Sequence, residues 1–377
     1  MPRRAFYKLL ALAALLHLYL GLRLLPAMAL GQAALAAAIG LLLVSSVLVP
    51  TGLIVSSLRR AHWTTPLTWA ALLSMGLFSS LLLLTVARDL LLLVLTLAGV
   101  ADPAVLRLSA FAAPLLALAL TALGLVNARR LARVVTVEVP IAGLPAALHG
   151  YTIVQLSDIH VGPTIKRAYL EAIVARANAL RGDAIAITGD LVDGSVAQLA
   201  EHTAPLAQLV ARDGVFFVTG NHEYYSGAQA WISELRRLGL TVLMNEHVLR
   251  ERAGAVVMIA GVADFHAHHF DVSHRSDPHQ AAAGAPAGIS ARILLAHQPR
   301  SALEAVDAGF HLQLSGHTHG GQFFPWNLLV PLQQPYVAGL RQLRSLWVYT
   351  SRGTGYWGPP KRLGAPSEIT RVRLVAA

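Results

Sequence analysis

Five short strings in this sequence carry side chains able to do chemistry. They are Asp158-Ile159-His160, Gly189-Asp190, Gly220-Asn221-His222-Glu223, an isolated His297, and Gly316-His317-Thr318-His319. Together they supply carboxylate, imidazole and amide donors in an order that suits a two-metal hydrolytic site. Asp158 and His160 are two residues apart, so an extended backbone turns both to one side. His317 and His319 share that spacing around a small residue and can grip metals directly. Gly189 and Gly220 each permit a turn that a side chain would block, so that Asp190 and Asn221 point their oxygens into a crevice. Taken singly, the Asp-x-His, Gly-Asp and Gly-Asn strings read more readily as polar strand ends or turns, and His-x-His equally as a hydrogen-bonded loop. The ordered set carries the argument.

The elements that must position these groups follow a regular plan. Short β-branched runs alternate with helical patterns from Tyr151 onward, which implies α/β layers. Strands are expected at 152–156, 184–187, 215–218, 256–259, 293–295, 312–314, 346–349 and 369–374, with a first strand at 134–139. Every candidate ligand leaves the C-terminal end of one of these strands. In open α/β sheets that edge is where ligands bind, so residues far apart in sequence can converge there. Helices are expected at 165–180, with Thr164 as N-cap and Tyr169, Ile173, Ala177 and Leu180 inward, and at 229–238, with Trp231, Leu235 and Leu238 inward.

The first third is of another kind. Four apolar segments, at roughly 7–25, 31–56, 66–87 and 109–127, are each long enough to cross a hydrocarbon core of about 30 Å. Arg88-Asp89 and the apolar run 90–100 either extend the third span, with the two charges paired, or lie in the interface. The formal charge of +10 divides unevenly: residues 1–133 hold 11 Lys+Arg against Asp89 and Asp102, whereas the remainder is nearly balanced. A nucleic-acid partner would want a basic face on the soluble part, and the count supplies none. Instead, arginine collects at the span ends: Arg3, Arg4 and Lys8, then Arg59 and Arg60, then Arg129, Arg130 and Arg133. With four spans these clusters share one side, which the positive-inside tendency makes cytoplasmic, and the soluble domain with them. An odd number of spans would reverse the side. Arg3-Arg4 with Ala27-Met28-Ala29 also has the look of an export signal; a basic flank holding the first span in place is the reading adopted. The spans carry few ionisable groups, which argues against a transporter. With no cysteine, any metal sits on His, Asp, Glu or Asn.

At these residues the chain resembles a known family. The order Asp-x-His, Gly-Asp-x-x-Asp, Gly-Asn-His-Glu, His, Gly-His-x-His is similar to that of the calcineurin-like metallophosphoesterases, over roughly residues 134–377. The segments Ser157 to Gly162 and Ser351-Arg352-Gly353 resemble a bacterial membrane-associated branch. The resemblance implies a four-layer αββα sandwich of two mixed sheets at 134–377, behind a transmembrane helical domain at 1–130. It implies that Asp158, His160 and His319 hold one divalent metal, that Asn221, His297 and His317 hold a second, and that Asp190 bridges them. His222 would face the leaving group, with Asp193 orienting it, and Glu223 stands where the family more often has Asp.

Elementary chemistry is consistent with those roles. Two metals about 3.5–4 Å apart can clamp phosphoryl oxygens and bring the pKa of bound water towards 7. A histidine held by a carboxylate is suited to protonating the leaving group. Oxygen and nitrogen donors without thiolate suit Mn, Fe, Zn or Co. The expectation is therefore a membrane-bound phosphoesterase acting on a mono- or diester or a pyrophosphate. Tethering beside the bilayer favours a lipid-linked substrate. The competing class is a non-catalytic metal-binding scaffold or sensor; such a chain usually loses ligands, and none is missing here. The five histidines between 263 and 280 are read as a loop or lid beside the site. Arg352 is assigned either to a substrate phosphate or to a salt bridge; Trp326, Tyr336, Trp347 and Trp357 could line an apolar groove near the site, and core packing is the reading adopted.

Overall fold

The computed structural model describes residues 3–55 and 64–377. Arg59 and Arg60 therefore lie outside the described residues. The chain divides into two compact units, Met1–Arg129 with Gly358–Lys361, and Arg130–Trp357 with Arg362–Ala377.

The first unit holds α1 (Arg3–Met28), α2 (Gln32–Val55), α3 (Thr64–Leu97) and α4 (Pro103–Arg129). Among the described residues these four are long and apolar enough to cross a membrane. Their outward leucines stay exposed, as lipid-facing positions do, while small residues such as Ala110, Ala113 and Ala117 are buried. The run after Arg88-Asp89 continues α3 to Leu97 without a break, so the third helix is about 50 Å long at 1.5 Å per residue. The two charges are paired, as one of the two sequence readings required. Arg88 lies 3.3 Å from Asp89, and Asp89 also takes Arg23 at 2.7 Å and the Tyr19 hydroxyl at 2.7 Å. Ionisable groups within apolar spans are expected to be partnered.

The second unit is a pair of six-stranded sheets. In chain order its strands are β1 (Arg133–Ile141), β2 (Thr152–Leu156), β3 (Ala184–Thr188), β4 (Val215–Val218), β5 (Thr241–Val242), β6 (Glu246–Arg252), β7 (Ala255–Gly261), β8 (Ala291–Leu295), β9 (Leu312–Ser315), β10 (Gly339–Leu343), β11 (Leu346–Thr350) and β12 (Glu368–Ala376). One sheet runs β1-β12-β2-β3-β4-β5 and the other β10-β11-β9-β8-β7-β6. Both are mixed: β2, β3 and β4 are parallel, whereas β12 meets β2 antiparallel.

Side chains alternate across each sheet, and one set meets in the middle. Ile153, Ala184, Ala186, Phe216 and Val218 of the first sheet pack with Val257, Ile259, Ile293, Leu295, Leu312 and Leu314 of the second. The other face of the second sheet, Met258, Ala260, Leu294 and Val348, is covered by α9 (Pro278–Ala282) and α10 (Ala302–Asp307), including Ala281, Ala305 and Val306. The helices α5 (Arg167–Ala179), α6 (Val196–Thr203), α7 (Asn221–Ser226) and α8 (Ala228–Arg237) fall between the strands of the first sheet. Two sheets face to face with helices outside is the αββα sandwich expected.

Two local expectations need correction. The helix expected at 165–180 begins at Arg167, with Lys166 rather than Thr164 as N-cap, and it buries Leu170, Ile173, Val174 and Ala177. Tyr169 and Leu180 are only half-buried. The reason lies in the preceding loop, where Gly162 N donates to Ile165 O at 2.9 Å and Val161 bridges Val192, so residues 161–165 serve the loop. The aromatic residues also divide. Trp347 and Tyr336 pack against the two cores, but Trp326 and Trp357 stand in the open.

Candidate metal centre

The parallel strands place the site. β2, β3, β4, β8 and β9 end in the loops that carry Asp158 and His160, Asp190, Asn221 and His222, His297, and His317 and His319 respectively. The two sheets therefore deliver their ligand loops to one edge, and the geometry gathers the side chains into groups. Donor atoms of Asp158, His160 and His319 lie within 4.8 Å of one another, and so do those of Asp190, His297 and His317. Asp190 Oδ2 faces both groups, at 3.2 Å from His297 Nε2 and 3.9 Å from His160 Nε2. The six His and Asp residues named as ligands all fall in these two groups.

Asn221 supplies a different kind of observation. Its Oδ1 is buried and has no hydrogen-bond partner. A buried acceptor left unmatched costs about 1–3 kcal/mol, so this amide oxygen, one residue before His222, whose N–H donates to Asp190 Oδ1 at 2.9 Å, suits a role as a cation ligand. Ring nitrogens face each other as well: His160 Nε2 and His319 Nε2 at 3.1 Å, and His297 Nε2 and His317 Nδ1 at 3.2 Å. Lone pairs arranged in this way suit a positive ion between or beside them. The residues present fit divalent metal.

Backbone conformation tells the same story. Asp158, His160, Asp190, His317 and His319 all have φ between 51° and 70°. For a non-glycine residue that region costs roughly 1–2 kcal/mol, and strain of this sort collects at functional sites. Two glycines make the close approach possible. At Gly189, with φ of 83°, a Cβ would stand 2.6 Å from Gly220 N and 2.7 Å from His297 Nδ1. At Gly220 a Cβ would collide with the Asp190 carboxylate.

The electrostatics divide the ligands. Burial opposes ionisation of Asp190, but His297, His222 and His160 hold its carboxyl well below the usual range. Burial pushes the Asp158 carboxyl up, against the pull of His297 and His160. Burial, with His297 close by, drives His317 down to about 3, and burial with His160 and Arg362 drives His319 well down. Both imidazoles are thereby held neutral, the form that ligates metal.

His222 behaves differently. Burial pulls its pKa down, yet Asp190 and the hydrogen bond to Asp193 outweigh burial and raise it to about 9. Its Nδ1 lies 2.6 Å from Asp193 Oδ1, and the same oxygen is 3.0 Å from His160 Nδ1.

Three further residues shape the site: Glu223 stands in the Gly-Asn-His-Glu string, whereas Arg362 and Glu368 lie outside the motifs. The buried Glu223 carboxylate accepts from Gly220 N (2.6 Å), Asp190 N (3.0 Å), Leu191 N (2.8 Å) and Val192 N (3.3 Å), and so fixes the loop that aims Asp190. Burial and then Asp190 push its carboxyl up to about 8, while the N–H of Gly220 works the other way. Arg362 is fully buried. It donates to the carbonyls of His319 (3.1 Å) and Arg352 (2.7 Å), and its Nη2 is 3.2 Å from His319 Nδ1. Glu368 holds Arg352 at 3.0 Å, the salt-bridge alternative of the two considered. The histidine tract lies beside the centre, with His266 Nδ1 at 3.0 Å from Gln298 Nε2 and His274 Nδ1 at 3.0 Å from the Tyr224 hydroxyl.

A two-sheet sandwich with His, Asp and Asn donors at one edge defines a class, and comparison with known proteins gives the family. Residues 151–321 match the calcineurin-like phosphoesterase family. A transmembrane protein with metallophosphoesterase domain from Bos taurus is 43% identical over 270 residues, covering 68% of this chain and 60% of that protein. A metallophosphoesterase of Campylobacter jejuni is 34% identical over 317 residues, covering 81% of this chain and 82% of that one. The chain belongs to the calcineurin-like metallophosphoesterases. It is a membrane protein, with matches in vertebrates and bacteria alike. It spans about three fifths of the length of the vertebrate relatives.

Proposed function

We propose that the chain is a membrane-bound phosphohydrolase with a binuclear metal centre, built from a transmembrane domain at 1–130 and a catalytic domain at 134–377. The observation that carries this reading is the convergence of Asp158, His160, His319, Asp190, His297 and His317 at one sheet edge, with the orphaned Asn221 oxygen beside them. Asp158, His160 and His319 would hold one ion. Asn221, His297 and His317 would hold the other, with Asp190 between. The donor set suits Mn, Fe, Zn or Co. When bound, two such ions polarise phosphoryl oxygens and lower the pKa of water.

The chain's own residues do the rest. His222 keeps a proton on its ring through the carboxylates of Asp190 and Asp193, and delivers it to the departing oxygen. Asp193 orients that ring from Nδ1. Glu223 and Arg362 hold the Asp190 and His319 loops in place. Arg129, Arg130 and Arg133 follow the last span, which argues for a cytoplasmic catalytic domain.

The test is hydrolysis of bis-p-nitrophenyl phosphate by metal-loaded protein, wild type against Asp190→Asn. Equal rates for the two would end the proposal. Bound metal with no turnover on any phosphoester would favour a scaffold. Protease accessibility of the C-terminal part in intact cells and in inverted vesicles tests the side.

A further inference from the structure

Beside the candidate centre lies an apolar surface that the chemistry above leaves unexplained. After His319 the chain passes through two short 3-10 turns, Trp326–Leu328 and Val330–Leu332. Phe324, Trp326, Leu328, Leu329 and Leu332 are all exposed there, Leu332 to 81%. A soluble protein seldom leaves so many large apolar side chains together in water. The segment is fastened to the site at both ends. Phe323 N donates to Gly321 O at 2.6 Å, and Gly321 lies so close to Asn327 that no Cβ would fit. At the far end Gln334 Nε2 donates to Gln298 Oε1 at 3.0 Å, next to His297. Gln322 exchanges two hydrogen bonds with the backbone of Trp357, at 2.8 and 2.9 Å. The exposed Trp357 ring in turn meets His222 edge-on at 5.6 Å. The apolar segment is therefore flanked on both sides by residues bonded to neighbours of the centre.

The occupant follows from the strand register. The last apolar helix ends at Arg129 and β1 begins at Arg133, so three residues intervene, a reach of roughly 14 Å even fully extended. Arg133 pairs with Glu368, the first residue of β12. Glu368 N donates to Gly353 O at 2.9 Å, and a Cβ on Gly353 would stand 3.1 Å from Asp158 Cβ and 3.2 Å from His319 Nδ1. The chain thus enters the first sheet at the edge that bears the ligands. It does so within a short tether of a helix end carrying Arg129 and Arg130, as membrane-interface segments do.

We propose that the 324–332 segment rests in the bilayer interface. Resting on the phosphohydrolase reading, we further propose that the site acts on phosphoesters whose apolar chains remain in the membrane. The phosphate sits at headgroup level, and its acyl or prenyl tail stays in lipid alongside Phe324, Leu328, Leu329 and Leu332. On a phosphatidyl ester of p-nitrophenol, water adds to phosphorus, the P–O bond to the aryl group breaks, and the aryl oxygen leaves with a proton as nitrophenol. The phosphatidyl product remains in the bilayer.

The experiment uses the full chain in phosphatidylcholine proteoliposomes. Lipids brominated near the headgroup quench tryptophans at that depth. Quenching of wild type is expected to exceed that of Trp326→Phe, because the lost fluorophore is a lipid-facing one. Equal fractional quenching would overturn the surface. It would do so most directly if a fourfold variant, Phe324→Ser, Leu328→Ser, Leu329→Ser and Leu332→Ser, also turned a dimer into a monomer, since a second copy would then cover the loop. The same fourfold variant is expected to lose at least tenfold in kcat/KM on phosphatidyl-p-nitrophenol and less than twofold on bis-p-nitrophenyl phosphate, which has the same leaving group. An equal effect on both would overturn the substrate class. Absence of any wild-type hydrolysis would end the phosphohydrolase reading, while the quenching difference would still decide the surface.

Discussion

One oxygen of Asp193 serves two histidines: Oδ1 stands 2.6 Å from Nδ1 of His222 and 3.0 Å from Nδ1 of His160. It therefore fixes which nitrogen of each ring is left to face the centre, Nε2 in both. Asp193→Asn keeps the size of the side chain but removes the charge, and its amide can present a donor where the rings need an acceptor. Changes to groups that orient ligands typically cost 10- to 100-fold in activity or metal affinity. We expect kcat to fall by about that factor with little change in KM. The loss should be greater for an alkyl ester than for a nitrophenyl ester, whose leaving group needs less help from a proton. An equal loss on both would assign Asp193 to metal binding through His160 alone.

Glu223 organises more of the site than its place in the Gly-Asn-His-Glu string suggests. Its carboxylate takes four backbone N–H groups, of Gly220, Asp190, Leu191 and Val192. Glu223→Ala would leave those donors buried and unmatched, at about 1–3 kcal/mol for each that water does not reach. We expect a loss of at least about 3 kcal/mol by that reasoning, read as a lower unfolding temperature in detergent. Glu223→Gln keeps one acceptor oxygen but turns an NH2 group toward backbone N–H donors, so its loss should fall between wild type and Ala.

Gly220 marks the closest packing at the centre. A Cβ there would run into the Asp190 carboxylate and come within 2.6 Å of Asp190 N. Gly220→Ala must push Asp190 aside, although its own φ of −99° suits any residue. We expect bound metal, counted by mass spectrometry on the purified protein, to fall by about one ion per chain relative to wild type through loss of the shared ligand. Unchanged metal content would remove Asp190 from the bridging position.

What could be read in the sequence had a physical pattern. Strands buried on both faces, such as β2, β3, β4, β8 and β9, are short apolar runs and were legible, as were the ligand loops at their ends. The strands that went unread, β5, β6 and β10, are all at sheet edges. An edge strand pairs on one side only, and β6, Glu-His-Val-Leu-Arg-Glu-Arg, carries the charges that keep such an edge from pairing further. Its composition therefore resembles a loop. Arg362 was equally hidden. It is buried because it ties the carbonyls of His319, Arg352 and Ala365 together, and nothing near it in sequence signals those distant contacts. Trp326 and Trp357 misled for the opposite reason, since a tryptophan is ordinarily a core residue.

Away from the centre, Asp213 lets the acid stability of the two-sheet unit be tested. Asp213 Oδ2 accepts from the Tyr151 hydroxyl at 2.7 Å, and the carboxylate takes Arg212 at 2.9 Å. Burial raises the Asp213 pKa, but the hydrogen bonds from Arg212 and Tyr151 outweigh it and leave the carboxyl below its ordinary value. A carboxyl depressed in the folded state stabilises above its unfolded pKa of about 3.9, and that contribution is lost as pH falls through the folded value. Wild type should therefore lose stability below about pH 4 more steeply than Asp213→Asn, which has no proton to take up. At neutral pH the Asn variant should cost no more than about 1 kcal/mol, because Arg212 is half exposed and solvent screens the pair. Asp213→Ala should cost about 1–3 kcal/mol, because it strands the fully buried Tyr151 hydroxyl. Thermal unfolding from pH 3 to 7, followed by tryptophan fluorescence, separates the three chains, and parallel curves for wild type and Asn would show that Asp213 does not carry the acid limb.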